Sequence, residues 1–177
     1  IWSFTYAVGM AISGFIVNWY GVKTAFILDA LIFTIALIVF IRIDFIVKAS
    51  IATDKFFELI KDGFRYIKND KVILHLIFLH SSVGLTSFDA LITILAKNEY
   101  KYVISVPLAI GISNAVRAVA LMFGPIFISK YVTKQNLHYL LIFQGIAIIL
   151  WGLMQDNFYV SLIALFIVGL STTTLWS

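Results

Sequence analysis

The apolar residues of this chain arrive in blocks of about 20, the length a helix needs to cross roughly 30 Å of hydrocarbon. Such a block folds as a helix because lipid offers no partner to a backbone N–H or C=O, and a helix satisfies both within itself. Six blocks can be read, at residues 1–17, 22–43, 72–96, 105–129, 137–154 and 158–177. The fold class that follows is all-α: a polytopic membrane helix bundle with six transmembrane helices plus one amphipathic helix outside the bilayer. Composition agrees, since 62% of the residues are hydrophobic and 12% are charged, far from the soluble average. Without cysteine there is neither a disulfide nor a thiolate metal site. The formal net charge is a modest +4. Its basic residues flank apolar blocks, which suits membrane loops and not a nucleic-acid surface. The first residue is Ile, and both ends fall inside apolar blocks. The chain therefore reads as an internal piece of a longer polytopic protein, with lipid and the remaining helices of that parent as its partners.

Basic residues set the expected orientation. The segment after the second block carries Arg42, Lys48, Lys55, Lys61, Arg65, Lys68 and Lys71, and the fourth-to-fifth loop adds Lys130 and Lys134. Two blocks separate these loops, so they share a side. The opposite side has only Lys23, Lys97 and Lys101. The excess marks the first side as cytoplasmic. Within the connector, residues 54–69 read as an amphipathic helix. Phe56, Phe57, Ile60, Phe64 and Ile67 fall on one face, with Lys55, Glu58, Lys61, Asp62, Arg65 and Lys68 on the other. Thr53 or Asp54 would cap it, and its basic face would lie on the inner membrane surface. A plain tether between two bundles is the alternative.

Two spans, a long amphipathic connector and then further spans make a recurring order. The stretches 9–17, Tyr20-Gly21, 25–33, 57–68 and Phe123-Gly124-Pro125 carry the likeness. On them the chain resembles the major facilitator superfamily, in its drug-efflux and siderophore-export-like branch. The resemblance covers essentially the whole chain. It implies a twelve-helix secondary transporter of which this is the fifth to the tenth helix. Residues 1–43 would then close the N-terminal bundle, 44–71 would form the cytoplasmic connector and 72–177 would open the C-terminal bundle. In two places the chain departs from the family's antiporters: Met10 stands where a proline is common, and Ser13 where the first of two paired glycines is common.

Three charges, Asp29, Asp89 and Arg117, lie inside apolar blocks. A charge in hydrocarbon costs about 2.5–3.5 kcal/mol by insertion scales, so such residues are paired or functional. Ser82, Thr86, Asp89 and Thr93 recur at helical spacing, and His75 extends the stripe. A polar stripe on an apolar helix faces protein or water, and the resemblance puts this helix on a central cavity. Plain helix packing is the competing reading. Arg117, with Ser113 one turn away and Asn114 near it, lies ~18 Å from the outer end of its block, and Asp89 ~10 Å from the end of its own. The offset of ~8 Å allows an ion pair between adjacent antiparallel helices. Its role could be structural or on the transport path.

Asp29 reads as an acid near the outer interface, reached by water. Gln144, Trp151 and the lone His80 read as packing. Ala7, Ala11 and Gly14, with Gly9 and Ser13 beside them, would let the first span approach a neighbour closely. Gly124-Pro125 would loosen the fourth span, as gating bend or static shape. Ser171-Thr172-Thr173-Thr174 is polar enough to touch a cavity. There is no phosphate loop, no metal cluster and no nucleophile with a base, so neither an enzyme nor a cofactor is expected. The function that the resemblance implies is export of a small amphipathic molecule by alternating access, with Asp89 as the candidate for proton coupling. The alternative is a non-transporting permease-like sensor or assembly protein whose buried charges are structural.

Overall fold

A computed structural model describes residues 2–43, 56–84, 88–128, 131 and 136–176. Within them the chain is all-helical, with no strand. The helices are α1 (Trp2–Ile41), α2 (Phe56–Asn69), α3 (Lys71–Gly84), α4 (Phe88–Asn98), α5 (Val106–Ile128), α6 (Leu137–Leu153) and α7 (Phe158–Trp176). A 3₁₀ turn, Tyr100–Tyr102, lies between α4 and α5.

Contacts divide the chain into two compact units. The first comprises Ile1–Leu28 and Ser87–Ser177, the second Asp29–Thr86. In the first unit, α7 packs most extensively on α5 and then on α6, and α4 packs on α5. Its core joins Phe88 and Ile92 of α4, Ala147 and Trp151 of α6, and Ala164, Leu165 and Val168 of α7. A second cluster gathers Ala96, Tyr100, Ala109 and Phe158 around the 3₁₀ turn. Polar contacts tie that end together. Trp151 Nε1 donates to Ser161 Oγ at 2.9 Å and the Tyr100 hydroxyl donates to the same oxygen at 2.6 Å. Burial raises the Tyr100 phenol above its ordinary pKa, against the lowering effect of its hydrogen bond. Asn157 starts α7 as an N-cap, its Oδ1 accepting from the N–H groups of Tyr159 and Val160.

The first and second expected spans are one helical element broken at Gly21. Its φ of 82° and ψ of 166° are open to glycine and strained for other residues. That break falls where the sequence places an outer turn. Trp19 and Tyr20 beside it are exposed, as aromatic residues at a membrane interface commonly are. The expected third span, 72–96, is described as α3 and α4. Residues 85–87 between them lie outside the described residues, and the two helices belong to different units.

In the second unit, Asp70 ends α2 and caps α3, its Oδ1 accepting from the N–H of Val72 at 2.8 Å and of Ile73 at 3.3 Å. Helix α2 is sharply two-faced. Phe57, Ile60 and Phe64 share an exposed apolar face, and Lys61, Asp62, Arg65 and Lys68 share the polar one. The Arg65–Asp62 pair at 3.3 Å is open to solvent and contributes little. Thr53 and Asp54, the expected caps, lie outside the described residues.

Across α1 and α6, and at the C-terminal end of α5, many large apolar side chains are exposed. Phe26, Phe33, Ile126, Phe127, Ile149 and Leu153 are examples. A water-soluble fold would cover such residues, whereas hydrocarbon is their natural solvent. The stretches Ser3–Ile41 and Val106–Ile128 are long and apolar enough to cross a bilayer; His138–Leu153 and Phe158–Thr172 are shorter apolar runs.

Candidate functional site: a charged node on three helices

Helix α5 holds the node because small residues on it let neighbours come close. Ala109, Gly111, Ser113, Ala118, Ala120 and Gly124 are all buried. At the α1 crossing, a Cβ built on Gly111 would lie 2.9 Å from the Cα of Gly14 and 2.9 Å from the Met10 carbonyl oxygen. On the α7 side, a Cβ on Gly169 would lie 2.6 Å from Ala120 Cβ and 2.8 Å from the Arg117 carbonyl oxygen. Backbone contact of this kind is how helices associate where hydrophobic driving force is weak.

The first approach brings α1 to the side of Arg117, and α4 packs on α5 beside it. Its Nη2 donates to Asp89 Oδ1 at 2.9 Å and to the Tyr6 hydroxyl at 3.1 Å. The guanidinium carbon sits 5.4 Å from the centre of the Phe88 ring, within cation–π range. The ion pair expected from helix depth is therefore in place, and it is asymmetric. The Arg117 side chain is 12% exposed and that of Asp89 is 73% exposed. Arg117 Nε is buried with no hydrogen-bond partner among the described residues. Asp89 also lies in the first turn of α4, where a negative charge is favoured by the helix dipole.

The other expected residues fall in different places. Ser113 and Asn114 are buried on α5. Asn114 Nδ2 donates to the Ile110 carbonyl at 3.2 Å, and its Oδ1 has no partner among the described residues. Thr93 donates its hydroxyl to the Asp89 carbonyl at 2.7 Å, one turn back along α4. His75 Nδ1 bonds the Lys71 carbonyl of its own helix. Thr86 lies outside the described residues, as do the side chains of Ser82 and His80. The continuous stripe from His75 to Thr93 thus spans two units and is not described as one face. Asp29 is exposed. Gln144 and Trp151 are buried against α7, where Gln144 Nε2 donates to Thr172 Oγ1 at 3.3 Å.

The glycines divide. Gly14 makes the close α1 contact. Gly9 departs from the packing expected of it, because a Cβ there would meet nothing within 4 Å. Ser13 is exposed and donates to the Met10 carbonyl at 3.0 Å. Helix α5 runs on through Gly124 and Pro125. Proline brings no N–H to the Leu121 carbonyl four residues earlier, yet the helix continues for one more turn. A groove of about 210 Å³ follows the α1–α5 crossing, lined by Met10, Ser13, Val17, Val106 and Ile110 among others. It is nearly all apolar and includes neither Asp89 nor Arg117.

Sequence reasoning missed four contributors: Tyr6, Phe88, Gly111 and Gly169. The run of small residues on α5 was a readable signal for Gly111. Nothing local in the sequence points Tyr6 at a residue 111 positions away.

Among the described residues no cluster of three His, Cys, Asp or Glu could hold a metal ion. The node offers a cation, an acid and a phenol on separate helices, with no nucleophile beside a base. The Major Facilitator Superfamily model matches residues 1–177, the full length of the chain. No curated protein and no solved structure matches it. With helices built for lipid, charges gathered inside them and a family match end to end, the chain belongs to the Major Facilitator Superfamily and is a multi-pass membrane transporter, not an enzyme.

Proposed function

We propose that the chain supplies the fifth to the tenth helix of a twelve-helix exporter, and that Asp89 and Arg117 stand on its transport path. In this reading six helices cross a bacterial inner membrane. Residues 1–43 end the first bundle, 44–71 form a cytoplasmic connector and 72–177 begin the second bundle. The observation that carries the proposal is the exposure of Asp89. Among the helices of this chain Asp89 is 73% exposed, which leaves it open to water, to a ligand or to the parent's remaining helices, since hydrocarbon costs a bare charge about 2.5–3.5 kcal/mol.

The arrangement also supports alternating access. Arg117 Nη2 serves Tyr6 on α1 and Asp89 on α4 at once. In the proposed division those partners belong to different bundles, so one rocking motion strains one bond and spares the other. Protonation of Asp89 would remove the charge that holds Arg117 on the α4 side and so link proton uptake to the motion. The substrate is a small amphipathic molecule. Ser82, Thr86, Thr93, Ser113 and Asn114 are the further candidates for the path wall.

The test is outward movement of an amphipathic fluorescent dye from membrane vesicles under a pH gradient. Asp89→Asn is expected to slow it by about tenfold or more, in line with loss of a positioned proton carrier. Unchanged rates at every pH would exclude coupling through Asp89.

A further inference from the structure

We propose that Arg117 is the recognition point for a carboxylate-bearing small molecule, which takes the place of Asp89 on the guanidinium. This narrows the substrate class of the transport path proposed above and rests on that reading.

Three observations point to it. First, the guanidinium is only partly used. Nη2 carries the bonds to Tyr6 and Asp89, while Nε is buried without a partner among the described residues. Nε–H and Nη2–H share one edge of the guanidinium, and a planar carboxylate spans that edge with both oxygens. Asp89 holds it through one oxygen only. A better-aligned carboxylate therefore has a second donor to gain.

Second, the two partners are unequally bound to the protein. Arg117 is 12% exposed and Asp89 73%. The acid can turn away into its open surroundings at small cost, whereas the guanidinium stays where α5 places it. A nearly buried cation with a replaceable counter-ion selects an anion. Third, the Phe88 ring lies 5.4 Å from the guanidinium carbon. It fixes the plane of the fork and gives the apolar body of an amphipathic ligand a wall beside its charged end.

Binding needs no transport, so it can be read separately. The full chain in phosphatidylcholine nanodiscs is titrated calorimetrically with benzoate, with neutral benzamide and with inorganic phosphate. Benzoate is expected to bind about tenfold or more tighter than benzamide. Arg117→Lys is expected to weaken benzoate by about tenfold, because an ammonium is a point charge without the fork. Asp89→Asn is expected to tighten benzoate by about tenfold, since the competing carboxylate is gone. That sign distinguishes replacement of Asp89 from binding elsewhere. Equal binding of benzamide, or weaker benzoate binding by Asp89→Asn, overturns the proposal. Phosphate binding tighter than benzoate overturns the carboxylate class in favour of a tetrahedral anion such as a lipid headgroup. Should Arg117→Lys fail to fold, the Asp89→Asn titration decides alone. Dye efflux indifferent to Asp89→Asn with benzoate bound as expected refutes the transport path and leaves the anion site. The reverse result refutes the anion site only.

Discussion

Gly169→Leu is expected to abolish the folded bundle, and Gly169→Ala to lower its thermal midpoint by roughly 4–12 °C, from overpacking of about 2–3 kcal/mol. The reason is geometric. A single methyl group at this position meets Ala120 Cβ at 2.6 Å and the Arg117 carbonyl oxygen at 2.8 Å. Real atoms do not approach so closely, and the carbonyl belongs to helix backbone that cannot step aside. Helices α5 and α7 must separate, which opens the most extensive contact in the first unit. The added Ala120→Gly removes the first clash and leaves the second, so it should restore part of the loss. Tryptophan fluorescence of detergent-solubilised protein reads all three. A wild-type midpoint for Gly169→Ala would mean that the two helices lie farther apart than described.

Asp89→Ala is expected to destabilise the protein by about 1–3 kcal/mol, and Arg117→Met to cost less. The double substitution should recover most of the Asp89→Ala loss. Removing one partner of a fully buried ion pair costs about 3–5 kcal/mol, because the other charge is left without compensation. Here the magnitude is reduced because Asp89 is open to its surroundings. The direction follows from which partner is buried. Without Asp89, the guanidinium at 12% exposure keeps, among the described residues, the Tyr6 hydroxyl and the Phe88 ring. Without Arg117, Asp89 stays uncovered and loses little. Depth along a helix does not reveal which of the two charges the neighbours cover; the burial of Arg117 does. Urea or thermal unfolding of the two single variants and the double closes the cycle. A double variant worse than both singles would contradict the pairing.

Much of the architecture was legible because membrane helices announce themselves by length and composition. The ends of α5, α6 and α7 fall within a residue or so of the apolar blocks at 105–129, 137–154 and 158–177. The outer turn before Val22 could be placed because polar Asn18 and the glycine at 21 interrupt an apolar run. Helix α2 was readable from its two-faced pattern. The ion pair was legible because Asp89 and Arg117 are rare charges in adjacent blocks, at depths whose ~8 Å offset a long arginine side chain can span. What stayed hidden is whatever depends on azimuth and distance between helices. Tyr6 and Phe88 are ordinary aromatic residues in apolar runs, and only packing turns them towards Arg117. Gly9 and Gly14 look alike in sequence, yet only Gly14 faces α5. Gly111 and Gly169 matter through backbone clearances of a few tenths of an ångström, which no residue pattern encodes.

The central claim is that Asp89 faces an aqueous path through the membrane. The chain has no native cysteine, so one introduced thiol reports on one position. Asp89→Cys and Leu91→Cys place thiols on different faces of α4. In intact membranes, a water-soluble, membrane-impermeant maleimide is predicted to label Asp89→Cys readily and Leu91→Cys little, because a thiol must ionise in water to react. Folded Asp89→Cys protein that resists the reagent as well as Leu91→Cys does would place position 89 against lipid or protein and contradict the account.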